Sequence, residues 1–230
     1  MKIHKNEKLI KRNARIGQFT SLFALVVLAA GMYVSFKMPN QFGLAIAALI
    51  AGFALSQVGI YFGNRWGRQP RPDQMLDNGL KGLPGDYSIY HYTTPASHLL
   101  VGPAGVWVLL TYHQRGTVTY SRNRWRLRGG GFMQNYMRIF GQEGLGRPDL
   151  EANSEANAIR GHFERQLEGE EIPQVSAALV FTNPDMNVQA DEAPIPSLPL
   201  KRLKDFIRKA AKSQALPAKR LEQIKSMLPE

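Results

Sequence analysis

Four arginines recur at every second position in "SRNRWRLRG": Arg122, Arg124, Arg126 and Arg128, interleaved with Trp125. Side chains two apart on a strand share a face, so this spacing would align the guanidiniums as a stripe able to track phosphates. The competing reading is a solvated sheet face, or a surface held near anionic lipid. Glu151 and Glu155 form a second pattern, since i,i+4 spacing projects both carboxylates from one helical face, with Asp73 available from an earlier helix. Their plainer role is that of acids favoured by the dipole in a helix's first turn. His91, His98, His113 and His162 match no compact metal-ligand spacing, so no metal site is assigned. "GLKGLPG" and "RGGGF" lack the lysine and helix context of a nucleotide loop.

The chain that must position these groups is 230 residues long and carries 29 Lys+Arg against 18 Asp+Glu, a formal charge of +11. It has no cysteine, which excludes disulfides and thiolate metal sites and fits a reducing compartment. Its first third contains two long uncharged runs, 16–36 and 38–64. About 20 apolar residues cross a hydrocarbon core roughly 30 Å thick, so each run suffices for a transmembrane helix. Small residues recur in "GLAIAALIAGFAL", which allows close helix approach, and Lys37 to Gln41 leaves room only for a tight link. A cleaved signal peptide is the competitor for the first run, but that run is too long and a second span follows at once.

The expected organisation is a basic leader over 1–15, a transmembrane hairpin over 16–64 (spans about 16–36 and 42–63), a basic linker over 65–72, a soluble domain over 73–200, and basic amphipathic helices over 201–230. The leader holds six Lys/Arg and "NRWGRQPR" holds three, whereas the link has only Lys37. Positive charge stays cytoplasmic, so both termini and the soluble domain are expected there, at the inner (plasma) membrane. Tyr61 and Trp66 fall at the headgroup level, and the basic flanks are suited to anionic lipid.

Within the soluble part, "DQMLDNGLKGL" reads as a short helix with Asp73 at its start. "YSIYHYTT", "SHLLV" and "GVWVLLTYH" read as strands, the last two joined by "GPAG" in a type I turn. "TVTYS" and "RWRLRG" extend the sheet, and a short helix is predicted over 132–140. "PDLEANSEANAIRGHFERQL" is a longer helix with Pro148 in its first turn, and "VSAALVFTNP" is a strand covered on both faces. This order predicts an α+β fold around a mixed sheet.

The ordered set "LKGLPGDYSIYHY", "SHLLVGPAGVWVLLTYHQRGTV", the Trp125 strand, "RPDLEAN" and "VSAALVFTNP" resembles the NERD (nuclease-related) domain, a family with a PD-(D/E)XK restriction-endonuclease-like fold. The resemblance covers roughly Asp73 to Leu200. It implies a nuclease site whose Asp position is Ser97, followed by the expected His98; whose Glu position is Leu110; and whose Lys position is Tyr112. Arg115 and Gly116 keep the family's ending, the helical Gln falls on Glu151, and the acid of the first helix falls on Asp73. Phosphodiester cleavage on this scaffold needs carboxylates to hold Mg²⁺, which activates water and neutralises developing charge. Ser97, Leu110 and Tyr112 cannot do that work, and Val106, Val108, Leu110 and Tyr112 share a strand face that reads as packing. The expectation is a membrane-anchored, catalytically inactive domain without cofactor that binds DNA or RNA, or scaffolds protein partners at the bilayer. An active nuclease with Mg²⁺ on migrated acids, Asp73, Glu151 and Glu155, is the alternative, and a membrane assembly factor is the third.

Overall fold

A computed structural model describes residues 1–129, 145–167, 171–213 and 215–229. The chain separates into two units, one formed by 7–71 and the other by 1–6 together with 72–230.

The first unit is a helical hairpin. Helix α1 (Glu7–Lys37) and helix α2 (Phe42–Phe62) are joined by a 3₁₀ turn at Pro39–Gln41, where proline fits a first-turn position because its missing N–H needs no partner there. At 1.5 Å per residue they are about 46 and 31 Å long. Both are long and apolar enough to span a membrane. Only 11% and 17% of their most apolar windows are buried, and Phe19, Phe36 and Phe42 stand open, whereas helices of a soluble core would bury such side chains. The helices touch where side chains are smallest. A Cβ on Gly59 would lie 2.3 Å from the Ser21 hydroxyl, one on Gly52 2.6 Å from Leu28, and one on Gly31 2.7 Å from Ala48. This is small-residue packing of the kind that lets backbones approach in lipid.

The second unit is α+β. Among the described residues nine strands form two sheets: β1 (Lys2–Lys5), β2 (Ser88–His91), β3 (His98–Gly102), β4 (Gly105–Tyr112), β7 (Val175–Phe181) and β9 (Ser197–Pro199) make a mixed sheet in that order. β5 (Gly116–Ser121), β6 (Arg124–Arg128) and β8 (Met186–Gln189) make a separate sheet, in the order β6-β5-β8. The expectation that "TVTYS" and "RWRLRG" extend the main sheet is therefore corrected: with Gly116 at φ 119°, the chain leaves β4 and starts a second layer, whose inward Val118 joins the main core.

Among the described residues, four helices pack on the main sheet. Helix α4 (Pro148–Glu164) and helix α6 (Ala218–Ser226) cover one face, burying Ala152, Ile159, Phe163, Leu221 and Ile224 with Val106, Val108, Leu110, Tyr112, Leu179 and Phe181. Helix α3 (Pro72–Gly79) and helix α5 (Leu200–Ser213) cover the other, burying Leu76, Leu203 and Ile207 with Ile89, Leu100, Leu109, Ala178 and Val180. A fully buried Leu or Phe contributes roughly 1.5–3 kcal/mol, so the C-terminal helices belong to the domain's two cores rather than forming an appendage. β7 supplies alternate residues to both, as its continuous apolar run requires. The helix predicted over 132–140 lies outside the described residues.

The basic leader expected over 1–15 has defined structure. Lys2–Lys5 is the edge strand of the main sheet, running parallel to β2 with Lys5 opposite His91. From Glu7 on, the leader is helix α1.

Candidate functional site

The face of the main sheet under α4 carries the positions singled out by the sequence. Ser97, just before β3, donates from both its backbone N–H (3.0 Å) and its Oγ (2.8 Å) to the two carboxylate oxygens of Glu155. Tyr112, at the end of β4, donates its hydroxyl to Glu151 at 2.7 Å. Glu151 and Glu155 thus reach the sheet as their i,i+4 spacing promised. Leu110 stands between Ser97 and Tyr112 in the motif but is 4% exposed and part of the apolar cluster. Phe181 packs tilted against the Tyr112 ring at 5.7 Å. The chemistry of this arrangement is that of neutral donors satisfying carboxylates: each oxygen of Glu155 already accepts a hydrogen bond, and nothing aliphatic can ligate a cation.

Asp73 does not join this pair. It lies on α3, which packs on the opposite face of the sheet, so the migrated site of Asp73, Glu151 and Glu155 is not assembled. Among the described residues, no group of three His, Asp or Glu could hold a metal ion.

Asp73 belongs instead to a buried polar chain. Lys5, His91 and His98 are consecutive cross-strand neighbours over β1, β2 and β3, and Asp73 and Asp77 hang over them from α3. The Lys5 ammonium donates to Asp73 at 3.2 Å and also to Asp77. His91 Nε2 meets Asp77 at 3.0 Å, and His91 Nδ1 meets His98 Nδ1 at 2.8 Å. An ionised carboxylate only accepts, so His91 Nε2–H is the donor to Asp77. Tyr92, held at φ 58°, sets its ring edge-on to His98 at 5.0 Å. Asp73 and His91 are fully buried. Such groups persist in a core only when paired.

Burial opposes the charge on Asp77, but hydrogen bonds and charge from His91 and Lys5 outweigh it and lower its pKa. Burial likewise opposes the Lys5 ammonium, yet Asp77 and Asp73 raise its pKa. Sequence reasoning missed Lys5 and Asp77. The signal for Asp77 was its i,i+4 recurrence with Asp73; Lys5 had no local signal. His113 and His162 lie apart from this chain, bonded to Thr182 and to the Met227 carbonyl.

The arginines occupy the second sheet. Val118, Tyr120, Trp125, Leu127, Met186 and Val188 turn inward to the core. The other side therefore displays Arg124, Arg126 and Arg128, all exposed, opposite Ser121, Thr119 and Thr117 on β5. Asn187 and Gln189 of β8 stand beyond Thr117 and Thr119. Arg122 is not on that strand: with Asn123 it forms the β5–β6 turn, both residues having positive φ, so the four-residue stripe is corrected to three plus a turn residue. Among the described residues none of these arginines is in an ion pair, and the displayed sheet face has no carboxylate.

Comparison with family models, curated proteins and solved structures finds no match to the chain.

Proposed function

We propose that this chain is an inner-membrane protein whose two helices span the bilayer and whose cytoplasmic domain is a catalytically inactive, restriction-endonuclease-like NERD-type module that binds nucleic acid. One observation carries the binding role: the outer face of the second sheet is built of Arg124, Arg126 and Arg128 backed by hydroxyl and amide side chains, without a carboxylate among its described residues. Guanidiniums about 7 Å apart along a strand, with neutral donors beside them, suit a run of phosphates and carry no base-reading geometry. The inactive assignment is supported by Ser97 and Tyr112, which spend their hydroxyls on Glu155 and Glu151.

The topology is supported by connectivity. Residues before α1 and after α2 build one sheet, so a spanning hairpin must return the chain to the side on which it began. The basic flanks support a cytoplasmic location for that side. With no native cysteine, single cysteines label cleanly: one at Asn40 should react with an impermeant reagent from outside, and one at Ser213 should not. The reverse pattern would overturn the orientation.

The binding test uses the detergent-purified full chain and labelled single- and double-stranded oligonucleotides. Affinity should fall steeply with salt, and Arg124→Gln/Arg126→Gln/Arg128→Gln should weaken it and reduce the log–log slope by about one per lost phosphate contact. Lack of affinity at low salt would remove the nucleic-acid role and leave protein scaffolding.

A further inference from the structure

We propose that the first two turns of α1 hold the headgroup of an anionic phospholipid, a site separate from the arginine face and resting on the membrane reading. Lys8, Lys11, Arg12 and Arg15 follow one another at i, i+3, i+4 and i+7, so they share one helical face. All four are exposed, while Ile10, Asn13 and Gly17 on the other side of the helix are buried. The same open stripe continues without interruption into Ile16 and Phe19, the latter 70% exposed. A shallow groove runs along these residues from Lys8 to Thr20. Its upper end is cationic and its lower end apolar, which is the polarity of a phospholipid standing on end.

Three further observations commit the occupant to a lipid. First, the sequence has no carboxylate from Lys8 to Arg71, and among the described residues none of the four cations is in an ion pair. Second, the groove lies at the boundary of the apolar span. Gly17 meets Gly63 of the neighbouring helix end, where a Cβ would come 2.9 Å from the Gly63 nitrogen. At that level Tyr61, Phe62 and Trp66 form an aromatic cluster with centroids 5.1–6.0 Å apart, and Arg65 lies 5.3 Å over the Trp66 ring. Aromatic rings of this kind settle at the headgroup layer. Third, the charges concentrate at one end of the hairpin, the far end having Lys37 alone. Lysines and arginines close to a bilayer surface attract anionic headgroups, and four on one face act together.

The test exposes the delipidated, detergent-purified full chain to equimolar phosphatidylglycerol and phosphatidylcholine and counts retained lipids by native mass spectrometry. Phosphatidylglycerol should be retained at least about tenfold better. Lys8→Gln/Lys11→Gln/Arg12→Gln/Arg15→Gln should abolish that preference, Lys8→Arg/Lys11→Arg should keep it, and Arg124→Gln/Arg126→Gln/Arg128→Gln should leave it unchanged. If the quadruple variant cannot be purified, Arg12→Gln/Arg15→Gln should reduce the preference by several fold. Equal retention of both lipids would overturn the proposal, as would displacement of phosphatidylglycerol by millimolar inorganic phosphate, which would make the site a simple anion site. Extraction of the chain from native membranes by alkaline carbonate would defeat the membrane reading itself. Retention there without lipid preference defeats only this site.

Discussion

Two carboxylate pairs with the same i,i+4 spacing sit on helices packed against opposite faces of one sheet, and they do different things. Asp73 and Asp77 on α3 point at a lysine and a histidine, and Asp73 is fully buried. Glu151, exposed, and Glu155, half-buried, on α4 accept from the Tyr112 hydroxyl and from Ser97. A carboxylate withdrawn from water needs a cation or several donors, whereas one at the rim can share its hydration with a hydroxyl. The spacing announces a pair; the partner strand decides whether it is an ionic clasp or a helix-docking contact. The consequence is topological, because the cation of the clasp comes from β1, which leads directly into the first membrane-spanning candidate.

The comparison breaks most visibly at Lys5. Lys5→Met removes the cation shared by buried Asp73 and by Asp77, a loss expected to cost about 3 kcal/mol. For a domain of this size that lowers the melting temperature by roughly 6–12 °C, measured by differential scanning fluorimetry of the purified full chain at one scan rate. Lys5→Arg should recover most of the loss. A shift under about 1 °C in Lys5→Met would show that β1 is not clasped.

Titration sharpens the same contrast. The depressed pKa of Asp77 means that its contribution is complete above its ordinary value of 3.8 and is lost as pH falls through the lowered one. The raised pKa of Lys5 means that its contribution is complete below 10.5 and is lost as pH rises through the higher value. Asp77→Asn should therefore flatten the acid limb of a stability–pH profile, and Lys5→Met the alkaline limb. An acid limb unchanged in Asp77→Asn would exclude Asp77 as its source.

On the other face the effects should be smaller. Ser97→Ala and Tyr112→Phe each remove neutral donors from a carboxylate that water can reach, an expected loss of about 1 kcal/mol apiece. If either matched Lys5→Met, the rim assignment would be mistaken and the pair would have to be treated as buried.

What could be read in advance followed the range of the determinants. The hairpin, the Pro103–Ala104 turn, the start of α4 at Pro148 and the doubly covered β7 all have local causes: uncharged length, turn residues, a proline without an N–H, a continuous apolar run. β1 had none. Its four residues gain strand structure only by pairing with Ser88–His91 across the whole hairpin, and its lysines equally fit a topogenic leader. The arginine face was half legible: strand alternation placed Arg124, Arg126 and Arg128 together, but the two-residue turn at Arg122–Asn123 and the switch to a second sheet needed the chain's path. His91 and His98 were both noticed, but their contact depends on a β2–β3 register that the sequence leaves open.

The smallest expected effect is the most decisive for chemistry, because it is no effect. If Glu151 and Glu155 held a divalent ion, adding it would stabilise the fold by mass action, by about 2.7 kcal/mol at a hundred times the dissociation constant. Ser97 already donates to both oxygens of Glu155 and Tyr112 to one of Glu151, so a metal would compete with these donors and bind beside the Leu110 side chain. Mg²⁺ or Mn²⁺ at 10 mM, against KCl of equal ionic strength, should therefore leave the melting temperature unchanged, and the purified full chain should cleave neither single- nor double-stranded substrates. A metal-dependent stabilisation or cleavage that disappears in Glu151→Gln or Glu155→Gln would restore an active site on α4. Ser97→Asp/Leu110→Glu/Tyr112→Lys runs the same logic in reverse. If the motif correspondence holds, that variant should gain a Mg²⁺-dependent rise in melting temperature from a lower starting point, since Leu110→Glu puts a carboxylate into an apolar core. Should it fold and remain indifferent to Mg²⁺, the correspondence at those three positions fails while the two carboxylate pairs stand as found.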